Sequence, residues 1–127
     1  MKLLGICALS GSGKTLTAGH VTRRHKFVEM AFADSIKRFL VQVYGWSEET
    51  LWGDSNLRNI PDPRYPRDHG PFLDGRCTCC GGGQEQCFLT PRFALTSLGT
   101  GWGRMCFADT WVVKTIRESK LMMEPGW

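Results

Sequence analysis

Residues 8–15 read Ala8-Leu9-Ser10-Gly11-Ser12-Gly13-Lys14-Thr15, and the fold expected of the whole chain turns on them. With Ala8 where the first glycine usually stands, the stretch fits the phosphate-loop pattern G-x-x-x-x-G-K-[ST]. Gly11 and Gly13 let the backbone curl so that successive N–H groups face phosphate oxygens, and a helix starting at the lysine adds the positive end of its dipole. Lys14 is then placed for the β and γ phosphates of a nucleoside triphosphate, and the Thr15 hydroxyl for Mg²⁺. A glycine-serine turn ahead of a chance lysine is the plainer reading. It is weakened by context, because the motif follows an apolar run and precedes a helical stretch.

Working outward, residues 3–9 form a nearly continuous apolar run, as a strand buried on both faces of a parallel sheet does. Residues 14 to about 25 contain no proline and read as a helix. Residues 27–33 set Val28, Met30 and Phe32 against Glu29, which reads as a second strand. Strand, helix, strand implies an α/β fold: a parallel sheet flanked by helices. Asp34 and Ser35 are suited to cap a helix whose stripe is Ile36, Phe39, Leu40 and Val43. Ser47, Glu48 and Glu49 open a short helix carrying Leu51 and Trp52 and stopping near Gly53. Residues 54–88 turn rich in Pro, Gly, Asp, Arg and Cys without a period, an insert or lid in what otherwise reads as one domain over residues 1–127. Thr90 and Pro91 start a helix through Phe93, Ala94, Leu95 and Leu98 to a stop at Gly99, with Gly101 and Gly103 continuing the turn. A last helix runs from about residue 109 to 123, with Val112, Ile116 and Ser119 inward, and Pro125 ends it.

The chain has 127 residues, with 16 Lys and Arg against 12 Asp and Glu. That mild positive balance suits small anions and argues only weakly for nucleic acid. No apolar run approaches the roughly 20 residues of a membrane span, and Gly5 breaks the opening stretch, so no export signal is expected. A reducing cytosol, that of a host cell if the source is viral, suits the six cysteines better than a disulfide scaffold. Cys77, Cys79, Cys80 and Cys87 cluster within eleven positions, with His69 upstream. Such soft donors suit tetrahedral Zn²⁺ in a structural role. Cys77 and Cys80 are spaced C-x-x-C, the second arm offers Cys87, and Cys79 or His69 supplies the fourth ligand. Unmetallated thiols or an oxidative disulfide are the alternatives. Cys7 and Cys106 read as small core residues. His20 and His25 have no patterned acidic or serine partner.

Further segments, FADSIKRFL from Phe32, GWSEETLWG from Gly45, LRNIPDPRYPR from Leu57, LTPRFALTSLGTGWGR from Leu89 and TWVV from Thr110, resemble the deoxynucleoside monophosphate kinase family of tailed bacteriophages. The resemblance implies a P-loop kinase sheet, ATP with Mg²⁺ as donor and a deoxynucleoside monophosphate as acceptor. It gives residues 10–15 the ATP-binding role, Lys14 and Arg92 a catalytic one, and Trp111 a place at the acceptor base. Asp34 and Lys37 follow the second expected strand at the sheet edge where open α/β sheets bind ligands. Arg58, Arg64 and Arg67 lie in the family's substrate-side loop, Arg64 among the expected substrate contacts. Family members continue past the position of Trp127 into a further core strand, so the resemblance also implies an incomplete sheet with an exposed edge. A homodimer is left open. Competing readings are an inactive remnant of such a kinase and, from the cysteines and five tryptophans, a zinc-dependent nucleic-acid binding module.

Overall fold

The computed structural model describes residues 4–9, 11–78, 82 and 86–123. Among the described residues five helices carry most of the order: α1 Lys14–His25, α2 Asp34–Tyr44, α3 Glu48–Trp52, α4 Pro91–Thr96 and α5 Thr110–Leu121. A 3-10 turn spans Ser55–Asn59, and a π-helical stretch, Ser97–Arg104, joins α4 to the residues before α5. The strands are β1 Asp62–Arg67, β2 Phe72–Leu73, β3 Arg76–Cys77 and β4 Cys87–Leu89.

The core gathers on α2. Ile36 and Leu40 are buried with Trp46, Leu51 and Ala94, and Val41, Tyr44, Leu89, Leu95, Leu98 and Trp111 close around them. The buried face thus follows residues 36, 40 and 44. Phe39 and Val43, expected inward, are half exposed. The rotation has a visible cause: Tyr44 stacks on Trp46 with ring centroids 4.6 Å apart and meets Tyr65 of β1 edge-on at 5.0 Å. Those contacts turn the Tyr44 side of α2 toward the core. The end of α2 is closed by Gly45 at φ 65° and by Arg64 Nη2 and Tyr65 Oη, which donate to the Tyr44 carbonyl at 3.2 and 2.9 Å. Ser47 caps α3 by accepting from the Thr50 amide at 3.1 Å. Thr90 caps α4 by accepting from the Phe93 amide at 3.2 Å, with Pro91 opening the helix. At α2 the cap position is Ala33 instead, and Asp34 reaches back to accept from the Ala31 amide at 2.9 Å.

The sheet differs from expectation. β1 pairs with β4 antiparallel, Arg67 opposite Cys87, with an irregularity between Asp62 and Pro66 where Pro63 and Pro66 lack amide donors. β2 and β3 form a separate hairpin around Asp74 and Gly75, both at positive φ. Neither residues 4–9 nor 27–33 form a strand, and no parallel pair exists among the described residues. A run apolar enough for burial on both faces becomes a strand only with sheet beside it and layers above and below. Here Leu4, Leu9, Val28 and Phe32 are all more than half exposed. Gly99 does not stop α4 either: the chain winds on through the π-helical stretch to Arg104. In α5 Ser119 is buried as expected, while Val112 and Ile116 are 39% and 40% exposed. Cys7 and Cys106 are exposed and not core residues. No described helix is long and apolar enough to cross a membrane.

Candidate functional site

The residues of the phosphate-loop pattern make a tight turn into α1. Gly11 and Gly13 take φ of 78° and 84°, a left-handed conformation that other residues adopt at a cost. Gly13 is the cap of α1, and its carbonyl accepts from the Thr17 amide at 3.0 Å and the Thr17 hydroxyl at 3.1 Å. The Ser12 amide is engaged, donating to the Leu9 carbonyl at 3.3 Å, and the Ser12 hydroxyl donates to the same oxygen at 2.7 Å. Among the described residues no carbonyl takes the amides of Gly11, Gly13, Lys14 or Thr15. Residues 11–17 are exposed, and nothing lies within 4 Å of where a side chain at Gly11 or Gly13 would begin. A helix start with an ammonium and a hydroxyl beside it is of the kind that can receive an anion. Ser10 lies outside the described residues.

The structure gathers Asp34 and Lys37 around one tryptophan. Asp34 Oδ1 accepts from Trp52 Nε1 at 3.0 Å, and Lys37 Nζ stands 5.2 Å from the centre of the Trp52 ring. Burial lowers the Lys37 pKa, Asp34 opposes the shift and Arg58 adds to it. The arginines of the expected substrate side are engaged by the protein. Arg58 donates to the Leu51 carbonyl at 2.8 Å. Arg64 pairs with Asp62 through Nη2 at 2.7 Å and also closes α2. Arg67 lies over the Phe93 ring at 3.8 Å. Arg92 donates through Nε to Asn59 and through Nη2 to the Ser55 carbonyl at 3.0 Å, tying α4 to the 3-10 turn.

Trp111 is half buried. Its Nε1 donates to the Gly99 carbonyl at 2.8 Å, and its indole lies against Gly103. It also lines a cleft of about 410 Å³ with Phe32, Arg104, Ala108, Asp109 and Val112. Arg104 was not singled out from the sequence. Its only signal was its place after the glycines of GTGWGR, and it faces the cleft without an engaged partner among the described residues. No residue of 11–15 lines this cleft, so the turn and the cleft are separate features.

In the insert, one nitrogen of His69 and the sulfurs of Cys77 and Cys87 lie within 4.8 Å of one another. Cys79 and Cys80 fall outside the described residues.

A glycine turn thus opens a helix at Lys14-Thr15, as the phosphate-loop pattern requires. A protein of Acanthamoeba polyphaga mimivirus described as "Putative deoxynucleotide monophosphate kinase" is 34% identical over 65 residues, 51% of this chain and 34% of the relative. The match therefore spans about a third of that relative's length. No protein-family model matches the chain. No solved structure matches it.

Proposed function

We propose that the chain binds ATP with Mg²⁺ through residues 10–15 and takes part in phosphoryl transfer to a deoxynucleoside monophosphate. The observation that carries this reading is the backbone of residues 11–15: two glycines at positive φ, amides without an acceptor among the described residues, and Lys14 and Thr15 as the first residues of α1. The similarity to the mimivirus protein supports the same chemistry.

In this reading the amides of Gly11, Gly13, Lys14 and Thr15 hold the phosphates, Lys14 Nζ adds a positive charge, and Thr15 Oγ1 is a ligand for the metal. Mg²⁺ supplies charge neutralisation on the phosphate oxygens during in-line transfer. The acceptor nucleotide is assigned to the cleft beside Trp111, whose indole and Phe32 offer aromatic faces to a base. Arg104 offers a guanidinium to its phosphate. Asp34 and Lys37, at the start of α2 beside Trp52, are assigned to the substrate as well, whereas Arg64 closes the far end of α2 and reaches a substrate only by leaving Asp62 and the Tyr44 carbonyl. Arg92 joins the transferring phosphate only by exchanging its bonds to Asn59 and Ser55.

The test is ATP consumption coupled to each of the four deoxynucleoside monophosphates, with and without Mg²⁺. Turnover is expected to need both, and Lys14→Ala to lower it at least about 100-fold, as loss of a charge-stabilising donor does. Titration with a fluorescent ATP analogue separates binding from transfer. Wild-type chain that binds no analogue would sink the assignment.

A further inference from the structure

Between residues 62 and 89, the fully buried described residues are two cysteines, Cys77 and Cys87. Phe72 and Leu73, the apolar pair of the β2–β3 hairpin, are 46% and 68% exposed. Among its described residues the insert thus fully buries no hydrocarbon side chain, and so short a segment needs another cross-link to hold a shape. What it buries there is sulfur, with the half-buried His69 imidazole beside it. His69 comes from the loop after β1, Cys77 ends β3 and Cys87 opens β4, yet their donor atoms converge within 4.8 Å. The Cys77 amide donates to the Gly82 carbonyl at 2.8 Å and the Thr78 amide to the Pro71 carbonyl at 2.9 Å, so the chain folds back on itself around this point.

We propose that His69, Cys77 and Cys87 hold a structural zinc ion. Bonds of about 2.0 Å to nitrogen and about 2.3 Å to sulfur place tetrahedral donors about 3.5–3.8 Å apart, so small side-chain rotations close the group on a metal. Two thiolates and an imidazole are soft and borderline donors, a set that selects Zn²⁺ over the oxygen-seeking Mg²⁺ of the phosphate turn. These three donors define the site among the described residues, which do not include Cys79 and Cys80. The ion fastens the β2–β3 hairpin to the β1–β4 sheet and supplies the insert with the stability that apolar burial does not. A Cys77–Cys87 disulfide would join the same two strands, but it requires an oxidant and leaves the convergence of His69 unexplained. The site stands whether or not residues 10–15 bind ATP.

The experiment uses the full chain, expressed with added zinc and purified under reducing conditions. Elemental analysis is expected to find one zinc per chain. Exchange for Co²⁺ is expected to give the visible bands of a tetrahedral ion together with sulfur-to-metal charge transfer. Cys77→Ser, Cys87→Ser and His69→Ala are each expected to lower zinc retention against a competing chelator at least about tenfold. Cys106→Ser, at an exposed position, is expected to retain it. Should a variant fail to fold, the cobalt spectrum of the unaltered chain still decides. A metal-free chain after reconstitution, a cobalt spectrum without charge transfer, or a Cys77–Cys87 disulfide in protein alkylated at lysis overturns the proposal.

Discussion

At Gly13 and Gly103 the missing side chain serves two different ends, and alanine at each position separates them. Gly13 sits at φ 84° with open space around it, so a methyl group meets no neighbour and costs only the left-handed conformation, about 1 kcal/mol. The same methyl would stand at the mouth of the amide cradle. Gly13→Ala is therefore expected to shift urea unfolding by about 1 kcal/mol yet to weaken ATP binding far more than that strain accounts for. Gly103 is buried, and a methyl there would overlap the Trp111 indole, which its bond to the Gly99 carbonyl holds in place. Gly103→Ala is expected to cost about 1–3 kcal/mol or more of stability, by the same unfolding measurement. The Asp62 carboxylate, 11% exposed, offers a pH-dependent counterpart. Its bonds from Arg64 and, at 2.8 Å, from Trp46 Nε1 hold its pKa well below the usual carboxylate range. A depressed pKa gives stability that is fully present above the unfolded value, about 3.9, and is lost as pH falls toward the folded one. The stability gap between wild type and Asp62→Asn should stay level from pH 7 to about pH 5 and close below about pH 4. A gap that widens in acid would contradict the assignment of the pair.

Helices whose start and stop are written in adjacent residues form where the sequence places them, and each should answer to its own cap. Ser47→Ala and Thr90→Ala each remove an acceptor from a first-turn amide, and each is expected to cost about 1 kcal/mol. These caps were legible because the cap and its amide are three residues apart. So was the turn at residues 11–14, where glycine spacing encodes local φ. Strands were not, since pairing depends on distant partners: residues 4–9 and 27–33 carry the composition of buried strands without the neighbours that make one. The Asp74-Gly75 hairpin was missed because its two-residue arms hold too few side chains to show alternation. Gly99 read as a stop because sequence does not distinguish a glycine needed for φ from one needed for closeness: here a methyl group would stand 3.3 Å from Ile36 Cδ1. The arginines show the same limit. Nothing near Arg92 or Arg64 in sequence announces Asn59 or the Tyr44 carbonyl as partners. α1 itself buries no residue, whereas α2 carries the core, so hydrogen exchange should find α1 amides near the unprotected limit and Leu40 among the slowest. Adding ATP and Mg²⁺ is expected to slow exchange in the first turn of α1 and to leave α2 unchanged.

Taken whole, the molecule exposes more surface than its mass requires. A compact monomer of 14.3 kDa shows about 6,800 Å² to solvent, and this chain shows 9584 Å². The apolar part of the surplus is visible in Leu4, Leu9, Leu16, Val28 and Phe32 on one stretch and Met105, Phe107 and Val113 on another, all at least 43% exposed. Large apolar exposure of this kind marks a surface that is covered by something or that associates. It also fixes how the chain should respond to denaturant, because the urea dependence of unfolding scales with the area newly exposed. Unfolding from 9584 Å² uncovers about four-fifths of the area that a compact chain of equal mass would uncover. The slope of stability against urea concentration is accordingly expected to fall about a fifth below the value for a compact domain of this size. The native chain should also raise the fluorescence of an apolar dye before any urea is added. A full slope with no dye bound would show that these apolar side chains are covered in solution, and would overturn this account of the surface.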